Sequence, residues 1–154
     1  MSQKHFLFSP GIWLGQGAIV FSTTPEELKF YMRWTIRSTD EGKIIGLQEI
    51  ELSGVSEKMV NEYHFMPNNS DKFGVRLEND ILGKIRGQGF SDDRIVAWEF
   101  RQSPAEFEGV EVYEKQEDGN YVTRAEYITS DQYRTTIRGK LWKTETPEPF
   151  KEEG

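Results

Sequence analysis

The sequence predicts an all-β fold, an up-and-down antiparallel barrel of about ten strands. Three observations carry that prediction. Apolar and polar residues alternate at a period of two in one stretch after another. Turn signals separate these stretches about every 8–12 residues, the spacing of an all-β barrel or sandwich. The connections are nearly all short, which favours sequential antiparallel pairing over crossings. A meander of this many strands has two bare edges unless it curls shut, so closure is its natural end point. A barrel of that size has room for a small ligand beside its core side chains.

The elements follow in order. GIWLGQGAIVF reads as the first strand despite its glycines. Thr24-Pro25-Glu26-Glu27 has the chemistry of a helix N-terminus and predicts one helical turn. In LKFYMRWTIRS the residues Leu28, Phe30, Met32, Trp34 and Ile36 share one face, Lys29, Arg33, Thr35 and Arg37 share the other, and Tyr31 is out of phase. A helix would scatter Phe30 and Trp34 off an apolar stripe, so the segment is a strand. TDEG at 39–42 leads to KIIGLQEIEL, and Ser53-Gly54 leads to EKMVNEYHF. Pro67-Asn68-Asn69-Ser70-Asp71 breaks before KFGVRL, Glu78-Asn79-Asp80 before ILGKIRGQ, and Ser91-Asp92-Asp93 before RIVAWEF. Ser103-Pro104-Ala105-Glu106 repeats the helix-start chemistry, but Gly109 follows too soon for a helix. Glu117-Asp118-Gly119-Asn120 is the best hairpin signal, joining GVEVYEKQ to YVTRAEYIT. Ser130-Asp131-Gln132 leads into the last strand, YRTTIRGKLW. Residues 1–144 form one domain, and the acidic, Pro-containing tail 145–154 is expected to be disordered.

Composition excludes several function classes. The chain has 154 residues, no cysteine and a formal charge of −7. Thiolate chemistry, disulfides and Cys-based metal sites are therefore out. The acidic balance argues against a nucleic-acid partner and against docking to an anionic membrane. The start of the chain lacks the basic and apolar regions of a signal peptide, and no apolar run approaches a membrane span, so the expectation is a cytoplasmic protein. Aromatic residues make up 13%, and such large rings must pack somewhere.

The stretch Gly11-Ile12-Trp13-Leu14-Gly15-Gln16-Gly17 has a Gly-rich look but fails as a phosphate loop. No helix opens at its last glycine, and the Gly-Lys-Ser/Thr of a P-loop is absent. As a strand it places Trp13, Gly15, Gly17, Ile19 and Phe21 on one face. Glycines beside a large ring make room for it or let the strand bend, so Trp13 is expected to plug one barrel end.

With Gly-x-Trp on the first strand, a β-meander and a basic residue on the last strand, the chain resembles the calycin superfamily, which includes lipocalins and fatty-acid-binding proteins. The extended pattern Gly-x-Trp-x-Gly-x-Gly is most similar to the nitrobindin-like barrels. The resemblance implies a calycin fold with Gly11, Trp13 and Arg138 as its structural signature. Arg138, or Arg134 as second choice, would pack across Trp13. Haem-binding nitrobindins carry a histidine ligand on the last strand, and the matching position here is Thr136, so no haem or other cofactor is expected. His5 precedes the first strand, and His64 alternates with Val60, Glu62 and Met66 on what reads as an outward face.

If the apolar faces point inward, so do the polar residues Gln48, Asn61, Tyr63, Thr123, Tyr127 and Thr135, among Phe30, Met32, Trp34, Phe73 and Trp98. Polar groups interleaved with aromatics are what line and orient a small ligand. The candidate ligand-binding set is therefore Phe30, Met32, Trp34, Gln48, Asn61, Tyr63, Trp98, Tyr127 and Thr135. Glu49, Glu51, Glu111, Glu114 and Asp118 read as turn or outward residues, so no inward acid/base pair emerges. No nucleophile motif and no metal-ligand spacing appears, and Asn68-Asn69-Ser70 reads as a turn. The leading expectation is a protein that binds a small apolar molecule inside the barrel without catalysis. The alternatives are an enzyme of the calycin-like barrel type, a chromophore lyase or isomerase, and a packed-core interaction module with Trp142 in its apolar patch. A buried ionisable group facing the cavity would favour the enzyme.

Overall fold

The computed structural model describes residues 5–67, 71–81, 83–102, 107–128 and 134–144. A short 3-10 helix, Phe6–Phe8, precedes ten strands: β1 (Gly11–Phe21), β2 (Glu27–Ser38), β3 (Ile44–Leu52), β4 (Met59–Pro67) and β5 (Lys72–Asn79) come first. They are followed by β6 (Gly83–Ser91), β7 (Ile95–Gln102), β8 (Phe107–Lys115), β9 (Tyr121–Ile128) and β10 (Arg134–Thr144). Each strand pairs antiparallel with its sequence neighbours, and β10 returns to β1, so the barrel is closed and no edge is left bare. The meander, the number of strands and the closure are as the alternation and short turns predict. Glu117-Asp118-Gly119-Asn120 turns β8 into β9, with Gly119 at φ 89°, where a side chain would be strained.

The segment at 24–27 is a turn and not a helical one: the Thr24 hydroxyl accepts the Glu26 N–H at 3.3 Å, and β2 begins at once with Glu27. A local side-chain bond there takes the place of a helix cap. Ser103-Pro104-Ala105-Glu106, Asn68-Asn69-Ser70, Ser130-Asp131-Gln132 and the tail from 145 lie outside the described residues.

The register fixes which residues face inward. Trp13 and Ile19 of β1 share the interior with Phe30 and Trp34 of β2, Tyr63 and Phe65 of β4, and Trp98 of β7. One end is a packed aromatic plug. Trp34, fully buried, meets Phe6, Tyr63, Trp98 and Tyr113 at ring-centre distances of 5.6, 5.0, 6.2 and 6.3 Å. Such tilted and edge-on pairs add roughly 0.5–1.5 kcal/mol each to the burial itself. The 3-10 helix caps this end. Phe6 contacts Trp13 at 5.6 Å, and Trp13 contacts Tyr121 at 5.5 Å, so Trp13 closes the barrel where its sequence position predicts.

The glycines beside Trp13 have another purpose. A Cβ on Gly15 would come within 2.9 Å of Met32 Cε and the Lys140 carbonyl oxygen, and one on Gly17 would collide with the backbone of Arg138 and Gly139. They therefore permit close approach across the β1–β10 seam and leave space to Met32, not to Trp13.

Arg138 does not lie across Trp13. It pairs with Ala18, points outward with a side chain 72% exposed, and stands 3.9 Å from Glu27. Arg134 is also exposed, bound to Glu126 at 2.6 Å. The residue opposite Trp13 in register is Lys143. The sequence does not reveal this pairing, because the register of β10 on β1 is set only when the sheet closes.

Candidate functional site

At the end opposite the plug, the interior holds a cavity of about 280 Å³, at the lower edge of the roughly 300–1,000 Å³ usual for ligand pockets. Ile19, Phe30, Met32, Ile50, Leu77 and Ile137 supply apolar walls. Met59 also lines it and is 45% exposed, which marks the rim where the cavity reaches solvent.

Of the nine predicted binding residues, Phe30, Met32, Gln48, Asn61, Tyr63, Tyr127 and Thr135 line this cavity, as does Thr123. Trp34 and Trp98 do not: they are fully buried in the plug beneath it, as is Phe73. Strand alternation separates inside from outside but is silent about height along the barrel axis, and these rings sit at the packed end.

Glu111 departs furthest from its sequence expectation. It reads as outward in the sequence, yet it is 2% exposed and lines the cavity. The valines flanking it in GVEVYEK set the apparent apolar phase, but Val110 is on the outer wall, 39% exposed. Register decides the matter: Glu111 lies between Trp98 of β7 and Ala125 of β9, both inward. Three tyrosines gather on its carboxylate. The Tyr63 hydroxyl donates to Oε2 at 2.6 Å, Tyr127 donates to the same oxygen, and Tyr113 donates to Oε1 at 3.4 Å. The Tyr127 ring fits there because position 109 is glycine: a Cβ on Gly109 would collide with it.

Burial pushes the Glu111 carboxyl above its ordinary value, and the hydrogen bonds from Tyr127, Tyr63 and Tyr113 recover part of that cost. The Trp98 indole N–H acts in the same direction without a well-aligned hydrogen bond. Burial likewise raises the Tyr63, Tyr113 and Tyr127 hydroxyls well above their ordinary value, with the nearby carboxylate adding to the effect, so all three remain protonated donors. Among the described lining residues, Glu111 is the only acidic or basic side chain.

A second polar feature runs along the wall formed by β3, β4 and β5. Asn79 Nδ2 donates to Asn61 Oδ1 at 3.0 Å, and Asn61 Nδ2 donates to Gln48 Oε1 at 2.8 Å. Gln48 Nε2 ends the chain on Met32 Sδ at 3.3 Å, a weak acceptor.

The other candidates stand outside the cavity. His64 is on the outer wall, with Nε2 2.8 Å from Glu62 and 3.6 Å from Glu78. These three are the one group of potential metal ligands among the described residues, but Arg76 already binds Glu78 at 2.9 Å and balances the facing carboxylates. Thr136, the position matched to a haem ligand, pairs with Val20 and faces outward, while Thr135 and Ile137 take the inward places. Glu49 is outward as expected, bound by Arg33 at 2.8 Å and Lys58 at 3.0 Å. Burial works against its charge, but the two cations outweigh it and hold its carboxyl below the ordinary value. Trp142 is half-buried on the outer wall.

His5 is more than a leading residue. Its buried ring joins the 3-10 cap to the barrel: Nε2 donates to the Asp92 carbonyl at 2.6 Å, and Nδ1 accepts from the Tyr121 hydroxyl at 2.8 Å. The carbonyl can only accept, which assigns the proton to Nε2. No helix among the described residues is long and apolar enough to cross a membrane.

No family model matches the sequence, and no curated protein matches it. Among solved structures, the barrel is similar to that of the S-type phycobiliprotein lyase CPES from Guillardia theta, with a TM-score of 0.67 and 10% sequence identity over 90% of each chain. That protein has a calycin-like barrel, so the closed ten-strand architecture described above is of the calycin-like kind.

Proposed function

We propose that this protein binds a single small, largely apolar molecule inside the barrel, entering past Met59 and resting with its polar group against Glu111 and its tyrosines. The observation that carries the reading is the cavity itself: apolar walls with a few convergent polar groups at a buried, perturbed carboxyl. Removing apolar ligand surface from water at roughly 25 cal/mol per Å² supplies affinity without a covalent step. The nitrobindin-like character of Gly11–Gly17 belongs to this reading as a likeness of the first strand only.

The test is a titration with N-phenyl-1-naphthylamine, a neutral fluorescent probe. We expect saturable one-to-one binding that quenches tryptophan emission and disappears when the cavity is filled by Ile137→Trp. Absence of saturable binding, or equal binding by the filled variant, overturns the proposal.

A second reading, that the barrel acts chemically on its ligand, is favoured by one observation: Glu111 is an ionisable group facing the cavity with its proton affinity raised. The fold it shares with a phycobiliprotein lyase is compatible with that role. Glu111→Gln separates the two readings, since a purely binding barrel leaves its occupant chemically intact with either residue. Chemical conversion of a retained molecule by the parent and not by the variant would establish the second.

A further inference from the structure

The two glutamates buried among the described residues are treated in opposite ways. Glu49, on the outer wall, is met by two cations, Arg33 and Lys58. Glu111, in the cavity, is met only by hydroxyl donors and an indole, and no Lys, Arg or His stands among the described lining residues. Hydrogen bonds reduce the cost of a buried carboxylate but do not supply the countercharge that normally accompanies one. They are also unevenly placed. Oε2 accepts from both Tyr63 and Tyr127, whereas Oε1 has only the long 3.4 Å contact from Tyr113. Tyr63, Tyr113, Tyr127 and Phe30 all line the cavity. Aromatic rings in the wall of a cavity that holds a carboxylate add cation–π attraction for an ammonium group to that of the charge.

Resting on the reading that the barrel holds a small apolar molecule, we infer that its ligand carries a positive head: an aliphatic or aromatic ammonium-type cation whose N–H groups engage Glu111 Oε1 within the tyrosine ring. The apolar body fills the space bounded by Ile19, Met32, Ile50 and Leu77. The net charge of −7 draws such cations toward the protein and discourages carboxylate ligands. A fatty acid is therefore the wrong polarity for this site.

A matched series tests the inference: n-octylamine, n-octanol and n-octanoate share one apolar chain and differ in head group. Each competes against N-phenyl-1-naphthylamine at about pH 8. The expected order is octylamine first, at least tenfold tighter than octanol, with octanoate weakest. Glu111→Gln, a near-isosteric change, should bring octylamine within about threefold of octanol, the readout being the ratio of the two affinities in each protein. If that variant does not fold, the parent's pH profile replaces it. Octylamine affinity should then fall on acidification, as Glu111 takes up a proton, and octanol affinity should hold. Octanol equal to or tighter than octylamine, or a Glu111→Gln variant with undiminished amine preference, overturns the cationic head and leaves the binding barrel standing. Failure of all three to displace the probe, or no probe binding at all, overturns both.

Discussion

Removing the hydroxyl of Tyr63 should destabilise the protein by an amount that depends on the charge of Glu111. The Tyr63–Glu111 hydrogen bond is 2.6 Å long and buried. A hydrogen bond to an ionised group contributes about 1.5–3 kcal/mol net, and one between neutral groups about 0.5–1.5 kcal/mol. Tyr63→Phe is therefore expected to cost about 2 kcal/mol where Glu111 is ionised and about 1 kcal/mol where it is protonated or replaced by glutamine. For a chain of this length 1 kcal/mol moves the melting temperature by roughly 2–4 °C, so the drop should be about 4–8 °C where Glu111 is ionised and about half that where it is protonated.

The sign for Glu111 itself follows from its raised carboxyl. The folded state holds the proton more tightly than the unfolded chain, whose ordinary value is 4.5. The stability this contributes is full below that value and is lost as pH rises through the folded value. Glu111→Gln should thus gain on the parent as pH rises. The assay is a double-mutant cycle over Tyr63→Phe and Glu111→Gln, by urea unfolding at about pH 8 and about pH 4. A coupling below about 0.5 kcal/mol at the higher pH, or equal coupling at both, would refute an ionised Glu111 held by Tyr63.

Three further outcomes are expected. Gly109→Ala sets a methyl group against the Tyr127 ring and should cost about 1–3 kcal/mol in urea unfolding while weakening probe binding; an unchanged protein would show that the ring does not depend on that glycine. Burial pushes His5 below its ordinary value of 6.5, so the unfolded chain takes up its proton first as pH falls, and stability is lost from about 6.5 down through the folded value. The parent should accordingly lose stability relative to His5→Gln between about pH 7.5 and 5, with faster amide exchange at Phe6; parallel curves would refute the role of the His5–Tyr121 link. Arg138→Ala should change stability by less than about 0.5 kcal/mol, because its contact with Glu27 is exposed and 3.9 Å long, and a larger loss would revive a packing role for that arginine.

The barrel was legible because its signals are local. Alternation in LKFYMRWTIRS assigns Phe30, Met32, Trp34 and Ile36 to one face whatever lies beside the strand, and short turns leave little choice but sequential pairing. Seven of the nine predicted cavity residues were legible for the same reason. What alternation lacks is a coordinate along the barrel axis. Trp34 and Met32 share a face two residues apart, yet one sits in the plug and the other lines the cavity. Arg138 went astray through a register that only the closed sheet determines.

Glu111 was missed for a more instructive reason. In β8 and β9 the two faces exchange character: Val110 and Val122 stand on the outer wall while Glu111, Thr123 and Tyr127 face the cavity. A rule that sends aliphatic residues inward fails where the interior is an open cavity and not a dry core, since polar groups can face that space. The rings carried the correct phase. Tyr113, Tyr121 and Tyr127 alternate in step with Glu111 on β8 and β9, and in this barrel Trp13, Phe30, Trp34, Tyr63, Phe65, Trp98 and Phe100 also face inward. Tyr31 and Phe90 are exposed, so aromatic phase is a guide and not a law. Applied to GVEVYEKQ, that guide places Glu111 beside Tyr113 in the interior, where burial disfavours its charge. On the proposed reading, replacing Glu111 with glutamine should make the protein more stable as pH rises and less selective for amines.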